Sequence, residues 1–247
     1  QTTKVLIFWY SIWIFFAVRY LILFSVVIFS CSQYNPNEDL YIPQKYDILA
    51  LGDSYTIGQG VCENCTYPRL LIDSLKITHE LDTFKLRVIA QTGWTTNTLL
   101  NNINSEEIEE KDIVTLLIGV NNQYGGLPFT QYESQFIDLI NTSVELTKTH
   151  NKADLIVISI PDWSYTPYGQ FFNSSVISDQ IDMYNDYAEN YCIENDISYV
   201  YVTDITRQGM EQPELVSPDG LHPSEIAYRL FVERIYPVIE EKIYEIE

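Results

Sequence analysis

Basic residues are scarce in this chain of 247 residues. Lysine and arginine together number 14, against 34 aspartates and glutamates, and the formal net charge at pH 7 is −20. No cluster of lysines or arginines offsets this charge locally. Because binding to a phosphate backbone depends on such cations, we expect no nucleic-acid partner.

Cysteine is scarce too, with four residues in the whole chain. Cys62 and Cys65 form one C-x-x-C pair, but no second pair and no nearby histidine completes a zinc site. In an exported protein the pair could form a small disulfide loop, and two reduced thiols are equally compatible with the sequence. Cys192 lies in an apolar helical pattern and is predicted to be buried. We therefore expect no metal site.

Charge of either sign is almost absent from residues 1–30, where Lys4 and Arg19 are the only charged residues. Three interpretations compete for this stretch: a transmembrane anchor, a signal peptide and a buried helix. The buried helix fits least, because the stretch is apolar on every side. An uncleaved transmembrane helix remains an alternative, since about 20 apolar residues suffice to cross a bilayer.

A cysteine follows this apolar stretch directly. Residues 20–30 and then Cys31 resemble a bacterial lipoprotein signal, in which the cysteine is lipidated and becomes the new N-terminus. We therefore expect residues 1–31 to be a signal peptide or lipoprotein leader, and the exported protein to be anchored to the bacterial cell envelope, in the periplasm or at the cell surface, by the lipid on Cys31. Residues 32–45 are predicted to be a polar tether, and residues 46–247 the folded domain.

The rest of the chain alternates between two kinds of apolar pattern. Apolar, β-branched runs predict five buried parallel strands, at 46–51, 86–91, 113–118, 155–160 and 198–203. Helical patterns lie between and after them, near 67–79, 95–104, 131–150, 178–195 and 224–245. Such alternation predicts an α/β fold with three layers, in which helices cover both faces of a parallel sheet of about five strands.

One serine after a strand, with an aspartate and a histidine close together late in the chain, are the residues that a serine hydrolase needs. Ser54 follows the first predicted strand, and Asp219 and His222 share a loop bounded by proline and glycine. A serine hydroxyl is a weak nucleophile, which needs a base and a third group that orients the base. The other two histidines, His79 and His150, lie near the ends of helical patterns, and we expect neither to be catalytic.

Four short blocks surround these residues. They are Gly52-Asp53-Ser54, then Gln91-Thr92-Gly93-Trp94, then Gly119-Val120-Asn121-Asn122, and finally Asp219 to Pro223. In this order they resemble the motifs of the SGNH hydrolases, also called Gly-Asp-Ser-Leu esterases and lipases, over roughly residues 46–240. Ser54 does not lie in a Gly-x-Ser-x-Gly elbow, so the common α/β-hydrolase fold is disfavoured.

The resemblance implies a flavodoxin-like fold and a complete catalytic site. Ser54 would be the nucleophile, His222 the base and Asp219 the carboxylate that orients it. The oxyanion would be held by the backbone N–H groups of Ser54 and Gly93 and by the side chain of Asn121. Such chemistry requires no cofactor.

Two positions depart from the family pattern. Tyr55 stands where the family often has leucine, which is a flanking position. Asn122 stands where the third block usually has aspartate. We expect the second departure to affect support of the loop more than the chemistry, because the oxyanion donor of that block is Asn121.

The substrate is less well defined by the sequence. Trp94, Trp163 and Tyr165 are candidate walls of an acyl or sugar pocket, and packing against adjacent helices explains them equally well. Small acyl esters, acetylated sugars and lipid esters all fit the predicted hydrolase. An O-acyltransferase that uses a sugar hydroxyl as acceptor is one alternative, and a catalytically silent surface binding module is another. Oligomeric state is not predicted.

Overall fold

The computed structural model describes residues 41–246. The predicted leader, its Cys31 and most of the predicted tether lie outside the described residues. Lys45, which was assigned to the tether, is instead the first residue of the first strand. No helix within residues 41–246 has the length and apolar character needed to cross a membrane.

Five parallel strands form one sheet, as predicted. The strands are β1 (Lys45–Gly52), β2 (Thr83–Ala90), β3 (Ile113–Leu117), β4 (Leu155–Ile158) and β5 (Ser198–Val200). Their order across the sheet is β2-β1-β3-β4-β5, so the chain moves outward in both directions from β1. All five residues of β3 and all four of β4 are buried, which explains their nearly continuous apolar runs.

Eight α-helices are present in the described residues. They are α1 (Ser54–Ile57), α2 (Tyr67–Thr78), α3 (Thr96–Ser105), α4 (Val120–Tyr124), α5 (Phe129–Glu145), α6 (Ser174–Glu194), α7 (Thr203–Thr206) and α8 (Glu225–Ile246). Helix α2 packs against α8, whereas α3 packs against α5 and α5 against α6. These two groups cover the sheet and give the predicted three-layer α/β/α architecture.

The predicted elements differ from the structure mainly at their ends. Strand β2 begins at Thr83, three residues before the prediction, because this edge strand alternates buried Phe84 with exposed Thr83 and Lys85. Helix α5 ends at Glu145, short of the predicted residue 150. The short helices α1, α4 and α7 were not predicted.

Candidate active site

The candidate nucleophile lies where β1 turns into α1. Ser54 is the first residue of α1, and Asp53 is its N-cap, with Oδ1 accepting a hydrogen bond of 3.0 Å from the Tyr55 N–H. Helix α1 ends after one turn at Gly58, which has a φ of 79°. The N–H groups of Gly58 and Gln59 both donate to the Ser54 carbonyl at 3.0 Å. These bonds fix the backbone of Ser54 at the carboxyl end of β1.

Glycine is required at the junction itself. A Cβ on Gly52 would lie 2.1 Å from Thr56 Oγ1 and 2.4 Å from the Leu117 carbonyl oxygen on β3. No side chain fits there, because the turn of α1 is pressed against the neighbouring strand. The glycine of the first motif is therefore explained by close packing around the nucleophile.

Two backbone donors near the candidate nucleophile have no protein acceptor within the described residues. Within the described residues, the N–H groups of Ser54 and Gly93 donate to no backbone or side-chain acceptor. Gly93 follows β2 and has a φ of 85°, a left-handed conformation that favours glycine, while the space around its Cα is open. Gly93 is exposed, so its N–H is open to water or to a ligand. Both are the backbone donors predicted for an oxyanion.

Asn121, the third predicted donor, lies on α4. Its Nδ2 donates a hydrogen bond of 2.9 Å to the carbonyl oxygen of Trp94, the residue after Gly93. An amide nitrogen carries two hydrogens, so one remains for another acceptor. The bond ties the end of β2 to α4 and brings two of the predicted donors together.

Asn122, the position that departs from the family pattern, is fully buried. Its Oδ1 accepts from the backbone N–H of Thr96 at 3.0 Å, and its Nδ2 donates to Thr96 Oγ1 at 2.7 Å. Thr96 begins α3, so the asparagine links α3 to α4. The amide therefore supplies the support that the departure from aspartate placed in question.

Asp219 and His222 are hydrogen-bonded to each other, with Asp219 Oδ2 lying 2.8 Å from His222 Nδ1. Asp219 Oδ1 also accepts hydrogen bonds from Ser217 Oγ and from the backbone N–H groups of Leu221 and His222, at 2.7 to 3.0 Å. Partial burial would raise the pKa of Asp219, but these hydrogen bonds outweigh it and lower the pKa to about 2. The carboxylate is therefore ionised at neutral pH.

The ring of Tyr55 connects the nucleophile with the histidine. Its centroid lies 5.9 Å from that of His222, with the rings edge to face, and Tyr55 directly follows Ser54. The structure shows no hydrogen bond from the Ser54 hydroxyl to His222 within the described residues. Such bonds are often long before a substrate binds. The contact with Tyr55 was not predicted, because this position was taken as a flanking one.

The carboxyl of Asp53, the neighbour of Ser54, lies in surroundings that disfavour its charged form. It is fully buried, and its Oδ2 has no hydrogen-bond partner within the described residues. Burial raises the pKa of Asp53 to about 7, although the hydrogen bond from the Tyr55 N–H lowers it. Burial, together with the nearby carboxylates of Asp53, Asp162 and Asp219, raises the pKa of the Tyr55 hydroxyl.

A small cleft of about 10 Å³, room for about one water molecule, lies beside His222. Trp163 lines the cleft, as does Tyr55. Trp94 and Tyr165 are not among its lining residues: Trp94 packs against the core and Tyr165 is 37% exposed. Of the three candidate pocket residues, the structure thus places only Trp163 beside the histidine.

The described cysteines and the two other histidines have the surroundings of residues that support the fold. Cys62 and Cys65 form a disulfide, which resolves the two alternatives left by the sequence, and Cys192 is free and buried as predicted. His79 pairs with Asp82 at 3.7 Å, and His150 lies within 4 Å of two surface glutamates. No group of three histidines, cysteines or carboxylates in residues 41–246 is arranged to hold a metal ion.

Residues 50–230, more than half of the chain, match the model of the GDSL-like lipase/acylhydrolase family. The chain belongs to this family. It is accordingly a carboxylic-ester hydrolase of the SGNH/GDSL type. A search of curated proteins found no match.

Solved structures share the fold of this hydrolase at low sequence identity. The acetylxylan esterase Axe2 from Geobacillus stearothermophilus is 17% identical, with a TM-score of 0.60, covering 81% of this chain and 96% of its own. The psychrotrophic esterase EstA from a Pseudoalteromonas species is 18% identical, with a TM-score of 0.56 and coverage of 81% and 99%. A GDSL-family lipolytic protein from Veillonella parvula is 17% identical, with a TM-score of 0.59 and coverage of 78% and 97%.

Proposed function

We propose that the hydrolase cleaves carboxylic esters through Ser54, His222 and Asp219. The observation that carries the proposal is the hydrogen-bonded Asp219–His222 pair, which contacts the one-turn helix that begins at Ser54. The carboxylate holds Nδ1 of the imidazole, so Nε2 is the nitrogen that is free to act on the serine. A carboxylate with a pKa of about 2 stays charged and stabilises the imidazolium that forms.

The reaction would proceed in two acyl transfers. Ser54 Oγ attacks the ester carbonyl carbon while His222 accepts the hydroxyl proton, and the carbonyl oxygen becomes an oxyanion. The C–O bond to the alcohol then breaks, and the alcohol leaves with the proton from His222. A water molecule attacks the acyl group, His222 accepts its proton, and that proton returns to Ser54 as the acid is released.

Three donors would stabilise the oxyanion in both steps. The unpaired N–H groups of Ser54 and Gly93 and the second amide hydrogen of Asn121 are available for it. Preorganised donors of this kind need no rearrangement when the charge develops, which makes them effective.

A fluorophosphonate probe tests the proposal directly, because it forms a bond only with an activated serine. We expect stoichiometric labelling of the protein, with the adduct mapped to Ser54 by peptide mass spectrometry. Ser54→Ala and His222→Ala should abolish labelling and leave the circular dichroism spectrum unchanged. Labelling that persists in Ser54→Ala would show that another residue is the nucleophile.

We further propose that Cys31 is lipidated and that the protein is exported to the bacterial cell envelope. The support is in the sequence: Arg19, an apolar stretch, the small residue Ser30 and then a cysteine. Several acyl chains on one cysteine anchor a protein firmly, whereas a single chain does so only marginally.

Cys31→Ser distinguishes this anchor from an uncleaved helix. Metabolic palmitate labelling should disappear in Cys31→Ser, and unprocessed precursor should accumulate. Cys192→Ser, which removes a buried thiol, is the matched control and should leave labelling intact. Labelling that survives Cys31→Ser, or an intact mass that retains residues 20–30 in the wild type, would contradict lipidation at Cys31.

A further inference from the structure

Four aromatic side chains form a continuous cluster at the surface, here called the aromatic platform: Tyr124, Trp163, Tyr168 and Phe172. Trp163 is its buried base, with ring centroids of Tyr124 and Phe172 at 5.3 Å and of Tyr168 at 6.2 Å. Tyr168 and Phe172 also contact each other at 5.3 Å. Tyr124 is 53% exposed and Phe172 is 46% exposed, so both present ring surface to solvent.

The aromatic platform lies between α4, which carries Asn121, and the loop that carries Asp219 and His222. Tyr124 is three residues after Asn121 on the same short helix. The backbone N–H of Tyr168 donates a hydrogen bond of 2.9 Å to the carbonyl of Gly220, within the loop that carries the catalytic aspartate and histidine. Trp163 lines the cleft beside His222. A molecule bound on the platform would therefore have one end at the reacting centre.

The segment that carries the platform is held in place by specific contacts. The hydroxyl groups of Tyr124 and Tyr168 are 2.8 Å apart, which joins α4 to the 163–172 segment. Trp163 Nε1 donates to Gln123 Oε1 at 2.9 Å. A Cβ on Gly169 would lie 2.3 Å from the Trp163 carbonyl oxygen, so the segment folds tightly on itself. A surface that is already ordered loses little conformational entropy when it binds a ligand.

Two observations define what the platform would bind. The cleft beside His222 has a volume of about 10 Å³, room for about one water molecule, so no long acyl chain fits there and a short acyl group is favoured. The larger part of the ester is then its alcohol. The net charge of −20 disfavours an anionic lipid surface, and the exposed rings with hydroxyl groups at their edge suit a flat, uncharged molecule with polar edges.

We propose that the aromatic platform binds the alcohol part of the substrate, and that this part is an uncharged carbohydrate carrying short acyl esters. The proposal rests on the proposed function, because the platform is useful only if Ser54 attacks the ester beside it. Sugar rings combine an apolar C–H face with polar hydroxyl edges, which matches exposed aromatic faces rimmed by the tyrosine hydroxyls.

The test compares two substrates on the same enzyme. One is a neutral oligosaccharide bearing O-acetyl groups, and the other is ethyl acetate, which has no ring to stack; acetate release is measured for both. In Tyr124→Ala/Phe172→Ala we expect the ratio of kcat/KM for the oligosaccharide to kcat/KM for ethyl acetate to fall about tenfold, mainly through KM. Phe172→Tyr keeps a ring and should keep most of the ratio. Ile77→Ala, an exposed apolar residue on α2, should leave it unchanged.

Each other outcome has a distinct meaning. A ratio that stays constant in the double variant, in protein whose melting temperature matches the wild type, would overturn the proposal. The proposal would also be overturned if the wild type preferred micellar long-chain esters and the platform variants lost that preference, because the platform would then bind lipid. Should wild type hydrolyse neither substrate and fail to react with the fluorophosphonate, the failure would lie with the proposed function instead.

Discussion

Gly60 lies against the carboxylate of Asp219. A Cβ at Gly60 would approach Asp219 Oδ2 to 2.7 Å and Ser217 Oγ to 2.4 Å, so the loop after α1 leaves room only for glycine. This contact places the loop that follows Ser54 directly behind the Asp219–His222 pair. It connects the first and last motifs of the chain, which are more than 150 residues apart, through a residue that belongs to neither.

We expect Gly60→Ala to reduce kcat by roughly 10- to 100-fold, because an orienting carboxylate displaced by a fraction of an ångström misplaces the imidazole. Gly126→Ala is the matched control, since Gly126 also has a positive φ but nothing within 4 Å of a Cβ. Both variants bear backbone strain, and Gly60→Ala should lose more stability in urea because its Cβ also meets Ser217 and Asp219. A loss of kcat that is equal in the two variants would mean that strain, and not contact with Asp219, is responsible.

His222→Ala should be more damaging than Asp219→Ala. The histidine transfers the proton, whereas the aspartate orients the ring and stabilises its charge. Steady-state kcat on one small ester, measured for both variants, provides the ranking. Equal inactivation of the two variants would show that the carboxylate is indispensable and would contradict the ranking.

The low pKa of Asp219 predicts that this group affects the pH dependence of stability but not that of activity near neutral pH. A carboxylate whose folded-state pKa is about 2, below its usual 3.8, contributes stability above pH 4 and loses it as the pH falls toward 2. Asp219 therefore stays ionised in the folded protein between pH 4 and 8, and the pH profile of kcat/KM should contain no transition from this group in that range.

Asn121 and Asn122 are adjacent, yet we expect them to affect different quantities. Asn121→Ala should lower kcat by roughly 10²–10³ with little change in KM, the usual effect of losing one oxyanion donor. Asn122→Ala removes two buried hydrogen bonds to Thr96 and should instead lower the free energy of unfolding by about 1–3 kcal/mol. Kinetics and urea unfolding on both variants separate the two roles. An equal loss of kcat at both positions would mean that the oxyanion donor has been assigned to the wrong asparagine.

The sequence predicted those parts of the fold that depend on local pattern. Buried strands such as β3 are nearly continuous apolar runs in the sequence. Helices α2 and α8 are long enough for their apolar residues to show a helical period. The one-turn helix α1 has too few residues for any period to appear. Its position instead follows from the Asp53 cap and the packing of Gly52 against β3, and the second depends on tertiary structure.

The same limit applies to the site. The motifs that contain Ser54 and Asn121 each follow a predicted strand. Because parallel strands share one carboxyl edge, both residues were expected at the same edge of the sheet. Of the aromatic candidates, only Trp163 lies beside His222, and no sequence pattern separates it from Tyr165 two residues later. The contact between Gly60 and Asp219 joins distant segments of the chain, so no local sequence pattern predicts it. A positive φ at Gly60 is the one local feature, and many turn glycines share it.

The buried carboxyl of Asp53 should make stability depend on pH near neutrality. Its folded-state pKa of about 7 exceeds the 3.8 of an exposed aspartate, so the folded protein binds this proton more tightly than the unfolded chain does between pH 4 and 7. By linkage, the contribution of this group to stability is greatest below pH 4, falls as the pH rises to 7, and is lowest above that. A shift of this size corresponds to a difference on the order of 2–4 kcal/mol.

Asp53→Asn should remove most of this dependence, because asparagine is neutral at every pH and its Oδ1 can still accept from the Tyr55 N–H. Urea unfolding at pH 5 and pH 8 measures the effect as a difference in the free energy of unfolding. The wild type should be less stable at pH 8 by more than Asp53→Asn is. Asp73→Asn, at an exposed position on α2, controls for the loss of one negative charge. If Asp53→Asn keeps the full difference between the two pH values, then another group titrates and Asp53 is ionised throughout.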